Sequence, residues 1–188
     1  MMNSFFNVIL SLILILLLSP IILVIYFILK VSSPKEKAIF ISDRFGQNNK
    51  LFKMYKFRTM KTGSPQIDTN NLKDSNIYIT KIGKFLRICS LDELPQLISV
   101  LKRDMNLIGP RPALFTQKDL ILMRTNLKIH TIKPGITGYA QINGRDNMSL
   151  QEKVELEKYY IENRSIILDI KILFLTILYV FKFSSIKH

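Results

Sequence analysis

The sequence has almost no cysteine and, at its start, no charge. Cys89 is the only cysteine in 188 residues, which excludes an internal disulfide framework and fits a reducing compartment. Residues 1–29 contain no charged side chain, and every acidic residue lies beyond Lys30. The chain also has no internal repeat and no zinc-binding or P-loop pattern. Its length suits one domain with a hydrophobic core of its own.

The charge that is present is strongly unbalanced. Lysine and arginine number 27 against 14 aspartates and glutamates, which gives a formal net charge of +13. Such an excess attracts polyanions, a class that includes nucleic acid, anionic lipid headgroups and phosphorylated substrates.

A long apolar run, VILSLILILLLSPIILVIYFIL, covers residues 8–29. As a helix it would reach about 33 Å, enough to cross the hydrocarbon core of a bilayer. The run has no basic segment before it and no small-x-small site after it, so we do not expect a cleaved signal peptide. It predicts a membrane anchor over residues 1–30, with the remaining residues 31–188 forming the domain outside the membrane. Because Lys30, Lys35 and Lys37 follow the run, we expect that domain to face the cytoplasm.

Ser19 and Pro20 lie near the middle of this run. Proline removes a backbone hydrogen bond and clashes with the preceding turn, which predicts a kink or a break. One interpretation is a kinked helix that spans the membrane. The other is a re-entrant helix that enters and leaves by the same face, with the Ser19 hydroxyl satisfying a freed backbone group.

Beyond the anchor, the pattern predicts a small β-hairpin followed by helices. AIFIS and LFKMYKFRT are predicted strands on either side of the turn-like RFGQNNK, and Lys56 and Arg58 should share one face of the second strand. Residues 61–76 are polar and rich in turn residues, which predicts a mobile surface loop. A helix is expected to carry Leu94, Leu97, Ile98 and Leu101 on one apolar stripe. Further predictions are helices at 115–128 and 149–163, the latter capped by Ser149 and Glu152, and a Gly-rich loop at 133–145.

The C-terminal stretch, residues 166–183, is apolar but carries Asp169, Lys171 and Lys182. Charges are costly at a bilayer centre, so a free span is disfavoured. At helical spacing Asp169 and Thr176 share one side and both lysines lie opposite. This pattern favours a helix that lies half in the interface and half against protein.

The segment SLDELPQL contains two adjacent carboxylates, Asp92 and Glu93. One interpretation is structural: Ser90 and Glu93 form a capping box, or Asp92 is the N-cap and Pro95 lies in the tolerant first turn. The other is chemical, because a carboxylate at a helix N-terminus is held ionised. An ionised carboxylate can act as a nucleophile or as a magnesium ligand.

Several cationic side chains could surround such a site. They are Lys56 and Arg58, both in YKFRTM, and the arginines Arg87, Arg111 and Arg145. Arg111 lies between two prolines, so its backbone is stiff and its guanidinium could be preorganised for a phosphate. Each arginine alone is typical of a solvated surface. Together with the carboxylates they indicate a site for a phosphate-rich substrate and a divalent metal, although spacing does not identify the reaction.

The motifs YKFRTM, SLDELPQL, LKRDMNLIGPRP and KPGITGYAQINGR, followed by YY and LDIKILFLT, closely resemble the bacterial sugar transferase family. The likeness is to its small monotopic phosphoglycosyl transferases and covers nearly the whole chain. It implies transfer of a phospho-sugar from a UDP-sugar to undecaprenyl phosphate with release of UMP and a need for Mg²⁺. By this resemblance Asp92 is the nucleophile, Glu93 with Asp92 holds Mg²⁺, and Arg58, Arg87, Arg111 and Arg145 bind phosphate.

The resemblance also implies a fold and a location. The fold is α+β: an N-terminal re-entrant membrane helix broken at Ser19-Pro20, a small β-hairpin and several amphipathic helices at the membrane interface. The expected location is the cytoplasmic face of the bacterial inner membrane. The expected partners are a UDP-sugar, undecaprenyl phosphate, the phospholipid membrane and downstream membrane glycosyltransferases, with no nucleic acid. By analogy with short members we expect an N-acetylated amino sugar and a role in starting a polysaccharide or glycoprotein glycan.

The chain departs from the family pattern in two places. Ser4 and Asn7 stand where members usually carry a basic residue and an aspartate, which weakens the expected N-terminal interfacial anchor. Glu155-Leu156-Glu157 stands where Glu-Leu-Asp is common. Two other functions remain open: a membrane-bound, metal-dependent phosphohydrolase, and a non-enzymatic basic membrane-anchored binding protein.

Overall fold

The structure is a computed structural model that describes residues 3–65, 75–144 and 148–186, without the side chains of residues 75, 76 and 181–186. Its helices are α1 (Ser4–Ser32), α2 (Ser75–Tyr78), α3 (Lys81–Ile88), α4 (Leu97–Leu101), α5 (Lys118–Asn126), α6 (Tyr139–Asn143), α7 (Leu150–Glu162) and α8 (Ile166–Ile186). Its strands are β1 (Ile39–Phe45), β2 (Leu51–Phe57), β3 (Asn106–Ile108) and β4 (Gly135–Thr137). The fold class is therefore α+β, as predicted.

The predicted β-hairpin is confirmed. Strands β1 and β2 pair antiparallel, with Phe40 opposite Lys56. Asn48 and Asn49 both adopt positive φ in the connection, a conformation that asparagine tolerates better than most residues. The Arg58 guanidinium lies 5.6 Å from the centroid of the Phe40 ring, so Lys56 and Arg58 share a face of the hairpin, as expected.

The predicted Gly-rich loop is more ordered than the sequence indicated. Part of it is β4, which pairs in parallel with β3, and part is α6. The pairing depends on close backbone approach, because a Cβ on Gly135 would lie 2.0 Å from the Gly109 nitrogen. The glycine thus marks strand packing here, and the prediction of a loop over this segment was wrong.

Three predicted helices appear with adjusted bounds. The helix expected at 115–128 is α5, and the one at 149–163 is α7, whose capping box of Ser149 and Glu152 makes both reciprocal hydrogen bonds. The third is α4, and its expected apolar stripe is only partly correct. Leu97 and Val100 are buried, whereas Ile98 is exposed, because a 3-10 turn at Leu91–Gln96 precedes α4 and shifts the register.

The predicted break at Ser19-Pro20 does not interrupt α1, which remains one helix of 29 residues. Proline 20 removes the hydrogen bond that the carbonyl of Leu16, four residues earlier, would have accepted. The Ser19 hydroxyl donates to that same carbonyl at 2.8 Å. The freed acceptor is therefore satisfied locally and the helix continues through Pro20. The predicted break was wrong, and a kink at Pro20 stays a prediction.

Helix α1 packs against the rest of the fold near both of its ends. Near its start, Asn7 is buried and its Oδ1 accepts a hydrogen bond from the Leu107 N–H at 2.9 Å. Near its end, Ile25 and Leu29 join a core cluster with Phe57 and Leu86. The opposite side of the helix exposes large apolar residues along its whole length. By length and composition α1 is apolar enough to cross a membrane.

Helix α8 buries one side and exposes the other, as predicted. Asp169 is buried and accepts a hydrogen bond from the Tyr160 hydroxyl at 2.7 Å. Thr176 contacts the Thr137 hydroxyl at 2.7 Å. Burial and the Asp169 carboxylate raise the pKa of Tyr160 above its usual range. The outer side of α8 exposes apolar residues, among them Ile167 and Phe174.

Candidate active site

The carboxylate pair lies on the 3-10 turn Leu91–Gln96, between α3 and α4. This turn packs against β2 and α3, which brings both carboxylates to the charged face of the hairpin. Pro95 lies inside the turn and is buried, which is compatible with a 3-10 turn because its missing N–H would have few partners there. The sequence neighbours Asp92 and Glu93 nevertheless have different surroundings.

The capping interpretation is wrong for this segment. Ser90 adopts positive φ and its side chain makes no capping hydrogen bond. Asp92 lies inside the turn rather than at the N-cap position. The Glu93 side chain bonds to cations instead of to the Ser90 backbone. The acidic residues therefore do not close a helix end.

Glu93 is held between two cations. Lys56 Nζ lies 2.7 Å and an Arg111 terminal nitrogen 2.8 Å from the same Glu93 oxygen, Oε1. Burial disfavours the charged form of Glu93, but Arg111 and Lys56 outweigh it and hold the pKa of Glu93 well below its usual range. Glu93 is therefore ionised at neutral pH, and it fixes the positions of two basic side chains.

Asp92 is buried, with 7% of its surface exposed. With the residues that the structure describes, its carboxylate makes no hydrogen bond or ion pair of its own. Burial raises the pKa of Asp92 above its usual range and Glu93 adds to this effect, while Lys56, Arg111 and Arg87 oppose it. Asp92 is thus a carboxylate in a cationic setting whose oxygens are not occupied by those cations.

Arg87 is positioned by a threonine. Its Nε donates to Thr59 Oγ1 at 2.9 Å, and Thr59 is buried. The Thr59 carbonyl in turn accepts from the Thr80 N–H at 3.0 Å, at the N-cap of α3. A Cβ on Gly83 would lie 2.1 Å from the Thr59 carbonyl oxygen, so only glycine allows α3 to approach this closely.

The structure brings Arg87 and Arg111 to the carboxylates but takes Arg58 elsewhere. Arg58 Nε donates to the Lys37 carbonyl at 2.7 Å, and among the described residues its nearest acidic oxygen is Glu36 Oε2 at 4.0 Å. The assignment of Arg58 to substrate phosphate stays a prediction. Arg145 lies outside the described residues, as does the stretch 66–74 of the predicted mobile loop.

Sequence reasoning named Lys56 among the cations but did not assign it to the site, and it missed Thr59 entirely. Lys56 is two residues before Arg58 in the same motif, and the pattern favoured arginine because of its bidentate geometry. The helical signal after Thr80 gave no indication that a buried threonine orients Arg87. Lys56 lies at the end of β2, and Thr59 lies two residues beyond that strand.

The described residues contain no group of three or more histidine, cysteine or acidic side chains that could hold a metal. Asp92 and Glu93 are adjacent carboxylates, and Asp92 oxygens are not engaged by the cations. Mg²⁺ commonly binds through one or two carboxylates, waters and substrate phosphates. The donor set therefore fits a magnesium ion held by one or both carboxylates.

Glu157 has a structural environment. It is 2% exposed and pairs with Arg124, whose Nε donates to Glu157 Oε2 at 2.7 Å and whose terminal nitrogen donates to Oε1. This bidentate pair joins α7 to α5. The one-methylene departure noted at Glu157 thus concerns packing between helices.

The chain is similar to known sugar transferases. A family model described as bacterial sugar transferase matches residues 1–183. The uncharacterised sugar transferase EpsL of Bacillus subtilis is 44% identical over 149 residues, which cover 79% of this chain and 71% of EpsL. The UDP-glucose:undecaprenyl-phosphate glucose-1-phosphate transferase of Escherichia coli is 39% identical over 178 residues, 91% of this chain and 38% of that protein.

The name of a third relative specifies a different sugar, N-acetylgalactosamine, in place of glucose. The UDP-N-acetylgalactosamine-undecaprenyl-phosphate N-acetylgalactosaminephosphotransferase of Aeromonas hydrophila is 38% identical over 166 residues, which cover 86% of this chain and 39% of that protein. The chain thus spans well under half the length of the two relatives whose names state an activity. The family model runs through the anchor helix, the hairpin and the carboxylate turn alike. The chain belongs to the bacterial sugar transferase family.

Proposed function

We propose that this protein is a phosphoglycosyl transferase that moves a phospho-sugar from a UDP-sugar to undecaprenyl phosphate and releases UMP. Family membership supports the reaction class, since the relatives' names specify sugar-phosphate transfer to undecaprenyl phosphate. The local geometry supports the residues. The transferred sugar is proposed to be an N-acetylated amino sugar, as in the name of the Aeromonas relative.

The observation that carries the proposal is that the two carboxylates differ in their direct contacts with the nearby cations. Glu93 is committed to Lys56 and Arg111, whereas Asp92 faces the same cations without a direct bond to any described side chain. A nucleophile needs free lone pairs and a nearby positive field for the anionic phosphate it attacks. Asp92 meets both requirements, whereas one Glu93 oxygen is already engaged by Lys56 and Arg111.

The proposed reaction has two displacement steps. An Asp92 oxygen attacks the sugar-linked phosphorus, the bond to the bridging oxygen of the diphosphate breaks, and UMP leaves with that oxygen. The resulting acyl phosphate carries the sugar. An oxygen of undecaprenyl phosphate then attacks the same phosphorus, the acyl–phosphate bond breaks, and the Asp92 carboxylate is regenerated with the lipid diphosphate sugar as product.

The basic side chains would stabilise the charge that accumulates on phosphate oxygens during both steps. Arg87 and Arg111 can each offer paired N–H donors to a phosphate, and Lys56 contributes a compact charge. Glu93 and Asp92 would hold Mg²⁺, which when bound would neutralise the diphosphate and favour departure of UMP. Arg145 is retained as a proposed phosphate ligand from the family pattern alone.

We further propose that α1 enters the membrane without crossing it. Its contacts with the domain run from Asn7 to Leu29, a length of about 33 Å, so the domain lies beside the helix over nearly its whole length. A helix crossing a bilayer of about 30 Å would separate its two ends by the membrane. The exposed apolar sides of α1 and α8 would instead rest in the cytoplasmic leaflet of the inner membrane.

The test is UMP release from a panel of UDP-sugars, with Mg²⁺, with and without undecaprenyl phosphate. The transferase proposal expects release that depends on the lipid phosphate and is lost in Asp92→Asn. Release without the lipid would instead assign the carboxylates to a phosphohydrolase. Full activity of Asp92→Asn would reject Asp92 as the nucleophile. No release with any sugar would favour a membrane-anchored binding protein.

A further inference from the structure

A cavity of about 240 Å³ lies between the end of α1 and the start of α3. Its lining combines the apolar residues Leu29 and Ile82 with the charged residues Lys37, Arg58 and Lys81, and one acidic residue, Glu36. Positive charges therefore exceed negative ones by two in the lining. Such a mixture suits a ligand with an anionic head and an apolar body.

Arg58 is held in place at this cavity before any ligand arrives. Its Nε donates to the Lys37 carbonyl at 2.7 Å, and its guanidinium lies over the Phe40 ring. Among its contacts with described residues the hydrogen bond uses Nε, which leaves the two terminal nitrogens as paired donors. Paired guanidinium donors match the oxygens of a phosphate.

Glu36 does not cancel this charge. Its Oε1 accepts from the Thr62 N–H at 3.2 Å, and its Oε2 stands 4.0 Å from Arg58 Nε, beyond hydrogen-bond length. Glu36 thus lies beside Arg58 without a hydrogen bond to it. Lys37 and Lys81 add positive charge to other parts of the cavity lining.

The outer side of α1 next to the cavity is strongly apolar. Phe27, Ile28 and Val31 are exposed, Val31 to 79%, and they lie within one turn of Leu29 in the cavity wall. Lys30 follows on the same segment, and its Nζ donates to the Glu36 carbonyl at 3.2 Å. An apolar helix that ends in lysines places its end at the level of lipid headgroups.

We propose that this cavity holds the phosphate headgroup of an anionic glycerophospholipid, with the acyl chains along the exposed side of α1. The inference rests on the membrane placement given under the proposed function. The headgroup would be a resident lipid rather than the acceptor, because Lys56 and Arg111 bond to the carboxylate turn at Glu93, whereas Arg58 bonds to the Lys37 carbonyl. A phosphate bound by Arg58 and Lys81 would not be presented to Asp92.

The experiment measures lipid binding to the full-length protein in uncharged detergent, by native mass spectrometry and by titration with fluorescent phosphatidylglycerol. Phosphatidylcholine is the control for headgroup charge. Arg58→Gln and Lys81→Gln remove cavity cations, and Lys53→Gln removes an exposed lysine of the same hairpin. Because Lys81 is exposed at the start of α3, Lys81→Gln tests the site even if Arg58→Gln is poorly folded.

We expect phosphatidylglycerol to bind at least about tenfold more weakly to both cavity variants, since each loses a charged hydrogen-bonding group. Lys53→Gln should bind like the wild type. Equal binding by wild type and cavity variants would overturn the proposal. An Arg58 dependence seen for undecaprenyl phosphate and not for phosphatidylglycerol would also overturn it and assign the cavity to the acceptor.

This outcome is separable from that of the proposed reaction. Asp92→Asn should retain phosphatidylglycerol like the wild type whether or not UMP release depends on Asp92. A failure of lipid binding with intact transferase activity would reject the cavity assignment alone. If UMP release does not behave as proposed but phosphatidylglycerol binding still depends on Arg58, the lipid site is supported and only the proposed reaction is rejected.

Discussion

Lys56 Nζ lies 2.7 Å from Glu93 Oε1 and so ties the end of β2 to the carboxylate turn. Among the nearby cations, Lys56 also acts most strongly against the raised pKa of Asp92. One lysine therefore fixes Glu93 and lowers the pKa of Asp92 against the effect of burial. It links the hairpin to the proposed nucleophile.

Replacing Lys56 with glutamine should lower kcat/KM by about 10²-fold, because a buried charge aimed at the phosphate site is lost. The pH profile should change as well. Asp92 must be deprotonated to attack, and its pKa is already raised. As the pH is lowered, the wild type should therefore lose activity at a pH above the ordinary aspartate pKa of about 3.9. Without Lys56 that acid limb should move to still higher pH.

Lys53→Gln is the matched control for this change. Lys53 lies on the same strand, is 61% exposed and pairs with Asp43 at the surface. Its replacement should leave both kcat/KM and the acid limb unchanged. An acid limb in Lys56→Gln that stays at the wild-type pH would contradict the electrostatic coupling between Lys56 and Asp92.

Thr59→Val should reduce kcat/KM by about tenfold, because the hydrogen bond that orients the charged Arg87 contributes about 1.5 kcal/mol or more. Thr59→Ser keeps the hydroxyl and should restore most of the activity. In an Arg87→Gln background Thr59→Val should have little further effect, since the two act as one unit. Additive losses in the double variant would mean that Thr59 acts through the fold and not through Arg87.

Asn7→Leu should destabilise the protein by about 1–3 kcal/mol, because the Leu107 N–H would be left buried without an acceptor. Asn7→Asp keeps an oxygen at that position and should cost less. The comparison is made by thermal unfolding in detergent, with Ser32→Ala at the exposed end of α1 as the control. If Asn7→Leu unfolds at the wild-type temperature, the contact does not anchor α1.

Glu157→Gln should destabilise by about 3–5 kcal/mol, since it leaves the buried Arg124 charge without its partner. Glu155→Gln, on the exposed side of the same helix, should change stability by less than about 0.5 kcal/mol. Activity per folded molecule should be unchanged in both variants. A loss of kcat in folded Glu157→Gln would show that this ion pair acts on the reaction.

The sequence was sufficient for features set by local pattern. The hairpin followed from alternation around an asparagine turn, and the Ser149 capping box from spacing. Features that depend on close contact between segments distant in the sequence could not be predicted from the local pattern. The β3–β4 pairing depends on Gly135 meeting Gly109, and the Ser19 hydroxyl replaced the one bond that Pro20 removed, so α1 stayed whole where a break was expected.

The candidate site shows the same division. The motif SLDELPQL and the stiff Arg111 loop were recognisable from sequence, but the direct ion pair between Arg111 and Glu93 was not. Lys56 and Arg58 share a face of the hairpin, yet Lys56 reaches Glu93 and Arg58 turns to the Lys37 carbonyl. Which of two neighbouring cations enters the site depends on where α1 and the carboxylate turn pack, and one-dimensional spacing carries no information on that.

The central claim is that Asp92 becomes covalently phosphorylated by the sugar phosphate. The direct measurement is the intact mass of the protein after incubation with Mg²⁺ and the UDP-sugar that supports turnover, without undecaprenyl phosphate. We expect an adduct of one sugar phosphate, located in the peptide that contains Asp92, discharged by undecaprenyl phosphate and absent from Asp92→Asn. Turnover without any such adduct, or an adduct that persists in Asp92→Asn, would contradict the account.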